Sequence, residues 1–208
     1  VILITTKKGR KGLQVSYGAF YDMSEVNKLP KMQNIYGQGN GGGTIVNGAV
    51  KEEGALAVTP NSWGPKATQT FDNFGNYFQK ADSYTNNLAI SGGSEKVTFR
   101  FSYGNNYQTG IVPNTFLKRN TFRLGSQAGT DVFKIDANIA YSVTEDRKAQ
   151  NGSNLSGVML PLLRTPIDFN LIGGNGTGGY ENLDGSQHTY LPNYDNPFWT
   201  AYHNPANG

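Results

Sequence analysis

Four stretches between Asn86 and Val143 alternate apolar and polar residues with a period of two, and nothing else in the 208 residues restricts the fold as tightly. In the first, Leu88 and Ile90 alternate with Asn87, Ala89 and Ser91. In the second, Val97, Phe99, Phe101 and Tyr103 alternate with Lys96, Thr98, Arg100, Ser102 and Gly104. In the third, Phe122 and Leu124 alternate with Thr121, Arg123, Gly125 and Gln127. The fourth sets Phe133, Ile135, Ala137, Ile139, Tyr141 and Val143 against Lys134, Asp136, Asn138, Ala140 and Ser142. Successive strand residues point to opposite faces, so each stretch is a strand with one apolar and one polar face. Leu13 to Tyr21 repeats the pattern and makes a fifth strand.

The connections add to this. Gly92-Gly93-Ser94-Glu95 and Gly129-Thr130-Asp131 are tight hairpin signals, whereas the segments at about 22–82, 105–117 and 145–208 are long. Short turns at one end of a meander and long loops at the other are the pattern of an outer-membrane β-barrel. The expected fold class is therefore all-β: five strands of a partial transmembrane antiparallel barrel with long extracellular loops. The apolar parity would face lipid and the polar parity a lumen. A soluble β-sandwich lectin module, whose apolar parity points inward, stays open as an alternative, as does a non-transporting adhesion barrel.

Only 37% of the chain is hydrophobic and its mean hydropathy is −0.50, low for a large dry core but ordinary for a barrel with a wet interior. No apolar stretch is long enough for a spanning helix. The absence of cysteine removes disulfides, cysteine nucleophiles and Cys-ligated metals. A net charge of +3, scattered along the chain, gives no nucleic-acid footprint. His188 and His203 lack the spacing of a metal site, and no catalytic constellation or cofactor motif is present. The chain reads as a non-enzyme without cofactors.

Val1 to Lys7 reads as a buried strand, closed by the linker Lys8 to Gly12. Because the run Val1-Ile2-Leu3-Ile4 is not a signal peptide, the chain is expected to be a piece of a longer protein. Met23 to Tyr36 has weak helical spacing broken by Pro30, and Phe71 to Phe78 suggests a short amphipathic helix. A further helix is expected from Asn154, capped by Ser153 or Asn154 and ended or kinked by Pro161. The tail is dense in Tyr, Trp, Asn and Asp, as on surfaces that stack and hydrogen-bond sugars or peptides.

VILITTKKGRKG resembles the segment that ends the plug domain of SusC/RagA-type TonB-dependent outer-membrane transporters. LAISGGSEKVTFRFSYGNNYQTGIVPNTFLKRNTFRL resembles that family's early barrel strands, and SNLSGVMLPLLRTPIDFN with YDNPFWTAYHNP resembles its next extracellular loop. The resemblance implies residues 1–12 as the end of a plug and 13–208 as the start of a 22-stranded barrel in a Gram-negative outer membrane. It also implies a SusD-like lipoprotein lid, TonB as energy coupler through a region outside this chain, and an oligosaccharide or peptide substrate. Under that resemblance Arg100, Arg123, Gln127, Lys134, Asp136 and Asn138 line the lumen and meet the plug. Trp63, Tyr180, Trp199 and Tyr202 are the expected contacts to substrate or lid.

Overall fold

The computed structural model describes residues 7, 9–38, 43–46, 49–52, 63–150, 157–190 and 194–203. In chain order its strands are β1 (Gln14–Ser24), β2 (Tyr36–Gln38), β3 (Gly43–Val46), β4 (Ala49–Glu52), β5 (Trp63–Lys66), β6 (Ala81–Gly93), β7 (Val97–Thr109), β8 (Phe116–Gly129) and β9 (Lys134–Arg147). Three short helices accompany them: α1 (Asn73–Tyr77), α2 (Met159–Arg164) and α3 (Pro197–His203). The contacts divide the chain into two units.

The first unit is a five-stranded antiparallel sheet in the order β1-β6-β7-β8-β9. All five expected strands are present and paired with their neighbours as a meander. Each is longer than its alternating stretch. β7 and β8 continue to Thr109 and from Phe116, so the long link expected at 105–117 contracts to six residues. The polar pairs Asn105–Asn120 and Asn106–Arg119 hide the alternation there, yet they continue the ladder. Asn114, at φ 59°, provides the left-handed step of that turn, and Gly110 N–H donates to Thr115 O across 2.9 Å. The other two turns are as tight as expected: Ser94 N–H donates to Val97 O at 2.7 Å and Thr130 N–H to Phe133 O at 2.7 Å.

The register puts every apolar stretch on one face. One row across the sheet reads Val15, Ile90, Phe101, Leu124, Ile139, and the next reads Tyr17, Leu88, Tyr103, Phe122, Tyr141. Much of this face stays open to the surroundings: Leu13 is 74% exposed, Tyr17 68% and Ile139 66%, while Leu88, Ile90, Phe101 and Tyr103 in the middle strands are half-buried. A sandwich would bury this parity. Contiguous apolar surface on this scale marks an interaction with protein or membrane. Among the described residues no helix is long and apolar enough to cross a membrane, which bears only on helices. The chain is thus an all-β meander with the two-faced pattern of a partial barrel wall.

The second unit gathers residues 25–79, 111–114 and 148–208 around a small core of Phe74, Tyr77, Leu162 and Leu171. The helix expected near Phe71 is α1. Asp72 caps it by accepting the Gly75 N–H at 2.8 Å, and Phe74 and Tyr77 turn inward. Asn73 ties it to a neighbouring segment: its amide donates to Phe169 O at 2.8 Å and accepts Leu171 N–H at 3.1 Å. No helix forms across Glu25 to Asn34; Pro30 and the lack of a cap leave that stretch irregular. Pro161 does not end α2 but sits in its first turn, where the missing N–H costs nothing. The stop comes at Thr165, which takes an extended ψ of 123° because Pro166 follows. The expected caps Ser153 and Asn154 lie outside the described residues, as does the expected buried strand Val1 to Lys7 except for Lys7, which is exposed and not in a strand.

Candidate functional site

The polar face of the sheet carries all six residues assigned to a lumen. Arg100 lies in a row with Ser91, Gly125 and Asn138, and Arg123 lies in the adjacent row with Ala89, Ser102 and Ala140. With Lys7 and Arg119 the two arginines surround a concavity of about 600 Å³ whose other polar lining is Ser, Thr, Asn and Tyr. Among the described residues no carboxylate lines it. Its depth follows from small residues, since Gly18, Ala89 and Gly104 place no bulk between the cations. Among the described residues neither Arg100 nor Arg123 has an ion-pair partner. Arg119 donates to Thr144 Oγ1 at 3.2 Å.

Gln127, Lys134 and Asp136 group separately toward the short turns, around a second concavity. Asp136 is held from two sides: Gln127 Nε2 donates to Oδ2 at 2.7 Å and Asn138 Nδ2 to Oδ1 at 2.9 Å. Asn138 also lies over Gly125, where a Cβ would meet its Oδ1 at 2.8 Å. Arg119 escaped the sequence reading because it precedes the alternating stretch. Extending the odd parity of Thr121 and Arg123 by one step would have found it.

In the second unit three of the four expected aromatic contacts converge on α3. Asn196 starts this helix by accepting Phe198 N–H at 2.9 Å, with Pro197 in the first helical position. Trp199 and His203 are four residues apart, so they share a face and stack with centroids 4.6 Å apart. Tyr202 stacks on Tyr180 at 5.2 Å with an interplanar angle of 2°. Tyr180 is delivered by the turn Thr177–Gly179. Gly179 adopts φ 73° there, and any Cβ would collide with Ile172 O. His203 Nε2 meets Glu181 Oε1 at 2.8 Å, and its Nδ1 lies 3.1 Å from Trp199 O.

Each of these rings has therefore given one face to a neighbour. Burial first, and then Tyr202, raise the Tyr180 phenol above its ordinary value. The Trp199 indole N–H is buried and has no acceptor among the described residues. Trp63 lies on β5, away in sequence from this cluster, and its side chain is outside the described residues. The sequence reading missed the groups that hold the cluster in place, namely Glu181, His203 and above all Asn196. Nearby, Asp184 accepts from Ser186, whose hydroxyl and N–H hold the carboxyl below its usual range; this is a turn contact. Among the described residues no group of three His, Cys, Asp or Glu side chains could hold a metal ion.

No protein-family model matches the chain. A curated protein does. The chain is similar to the TonB-dependent receptor SusC of Bacteroides thetaiotaomicron. The two are 26% identical over 215 residues, a match covering 99% of this chain and 19% of SusC. The chain thus spans about a fifth of the length of its relative. The similarity supports a TonB-dependent receptor-like relationship, and it runs through both the sheet and the second unit.

Proposed function

We propose that this chain forms the first wall strands and the neighbouring outer loops of a SusC/RagA-type importer in the outer membrane. The observation that carries this reading is the meander with one predominantly apolar, largely exposed face and one polar face lined by cations. Apolar residues point outward where a soluble protein would bury them, which suits lipid as the surrounding medium. Five strands do not close; at least ~8 are needed. β1 and β9 would each leave a row of backbone groups without partners in lipid, at several kcal/mol per group. The wall functions inside a larger barrel. Import would be driven through TonB, with a SusD-like lipoprotein as lid and an oligosaccharide or peptide as cargo.

Within this reading the cations Arg100, Arg119 and Arg123 hold an acidic plug surface against the wall. Arg123→Glu should place a carboxylate where the wall expects cations. Uptake is expected to fall at least tenfold while heat-modifiable gel migration of the barrel stays normal; unchanged uptake would remove the residue from this role. The cluster on α3 is the proposed contact with cargo or lid, supported by the second faces of the rings and by the Trp199 N–H, which has no acceptor among the described residues. Trp199→Ala is expected to weaken lid affinity or uptake by about tenfold, roughly 1.4 kcal/mol. If both stay at wild-type values, Trp199 only packs its loop.

The decisive experiment is a pull-down of the intact protein from detergent-solubilised outer membranes, with mass spectrometry of what accompanies it. A co-purifying lipoprotein with bound glycan or peptide is the expected result. Recovery of the intact protein in the soluble fraction, alone, would replace the importer with a soluble sugar-binding module.

A further inference from the structure

The middle of the polar face gathers positive charge and no counter-charge. The four successive rows that contain Arg119, Thr121, Arg123 and Arg100 hold no aspartate or glutamate on any of the five strands. On β6, β7 and β8 their other side chains are only Ser, Thr, Asn, Ala and Gly. The carboxylates of this face stand outside those rows. Asp22 and Asp146 share the next row toward the long loops, and Asp136, held by Gln127 and Asn138, lies in the next row toward the short turns. Arg100 and Arg123 sit on neighbouring strands in neighbouring rows. That diagonal is about 7–8 Å, which two guanidinium groups can close on one carboxylate. Arg119 is four residues farther along β8, ~14 Å toward the long loops.

A fourth cation, Lys7, lines the same concavity and is anchored to the wall. Gly9 lies so close to β7 that a Cβ would collide with Phe99 O, a backbone atom with no freedom to swing aside. Gly12 N–H donates to Gly93 O at 3.1 Å, and Lys11 Nζ meets Glu95 Oε1 at 2.6 Å. The ion pair is exposed and adds little; the glycine contact and the backbone bond hold the strap. Lys7 therefore belongs with the arginines, whatever the chain before it does.

We propose that Lys7, Arg100, Arg119 and Arg123 form a carboxylate-binding site for an acidic oligosaccharide. It rests on the importer reading above and narrows the cargo to one class. A concavity lined by one sign of charge concentrates the opposite sign. Carboxylates of the plug meet that demand at rest. When the plug shifts, the four cations stay on the wall and face the passage, where carboxylates of the cargo replace those of the plug. The surrounding rows favour a sugar over a peptide. They offer hydroxyl and amide partners to sugar hydroxyls, and on β6 to β8 no apolar side chain larger than Ala to a peptide's aliphatic groups.

Uptake by cells carrying the intact protein tests this. Three labelled probes are compared: a galacturonate hexasaccharide, the same hexasaccharide with its carboxyls methyl-esterified, and hexaglutamate. The ester keeps the hydroxyls and loses the charge. The acid is expected to enter at least tenfold faster than the ester and faster than hexaglutamate. In the double variant Arg100→Gln, Arg123→Gln the acid-to-ester ratio should fall about tenfold, with heat-modifiable migration confirming a folded barrel. Should that variant fail to fold, Lys7→Gln on the strap gives the same comparison, with a fall of about threefold in the ratio. Equal entry of acid and ester into wild-type cells would overturn the proposal. So would a loss shared equally by both in the variants, since the cations would then serve the plug alone. Faster entry of hexaglutamate would make the cargo a peptide and overturn it too. Entry of none of the three overturns the acidic cargo while a heat-modifiable protein in the membrane fraction keeps the barrel; recovery in the soluble fraction would remove the importer as well.

Discussion

Ile139→Arg is expected to block stable insertion of the wall, while Asn138→Arg, one residue away, is expected to be tolerated. Ile139 lies near the middle of the outward band of β9 and is 66% exposed on the apolar face. Asn138 is on the opposite parity, beside Gly125 and in the row of Arg100. An arginine at mid-membrane on the lipid face costs about 2–4 kcal/mol, whereas a lumen position leaves it in water or against polar groups. Urea titration of the intact protein folded into vesicles would measure both variants. Equal losses for the two would contradict the assignment of faces.

Asn196→Ala is expected to loosen the loop that presents Tyr180, Trp199 and Tyr202 without unfolding the sheet. Asn196 is fully buried. Its amide nitrogen donates to Leu171 O at 2.7 Å and to His188 O at 2.6 Å, and its oxygen caps α3 through Phe198 N–H at 2.9 Å. Alanine would leave two buried carbonyls without a donor and the helix without a cap. Together these losses are on the order of 3 kcal/mol. Amide hydrogen exchange should quicken by about a hundredfold across 197–203 and stay unchanged in β6–β9. Asn175→Ala serves as the contrast. That side chain is exposed and accepts only Leu183 N–H at 3.1 Å, so the expected loss is about 1 kcal/mol. Comparable exchange in the two variants would deny Asn196 its central place.

The sheet was legible because period-two alternation is a local signal that the pleat converts directly into faces. Strand ends were less legible. Asn105 and Asn120 break the apolar parity, and only pairing with one another reveals them as strand. That the cations share the polar face could be read from parity alone, whereas their shared concavity depends on which strands stand side by side. The second unit was hardest. Its order depends on single amides, Asn73 and Asn196, each bonding segments far away in sequence, and no periodicity announces such contacts. The aromatic density of the tail marked where the rings gather, but not that Tyr180 and Tyr202 would spend a face on each other.

The spacing of the strands also sets an order of assembly. β6 to β9 are joined by turns of three, six and four residues, so each pairs with its neighbour across a short span. β1 must find β6 across the 56 residues between Ser24 and Ala81. Closing that span costs about 2–3 kcal/mol more chain entropy than closing the shortest turn. The four-stranded hairpin array should therefore form early and recruit β1 late. In pulsed hydrogen exchange during refolding, the amides of β8 would gain protection before those of β1. Until β1 docks, the outer edge of β6 is the reactive end of the growing wall, and a misdirected strand from another copy would attach there.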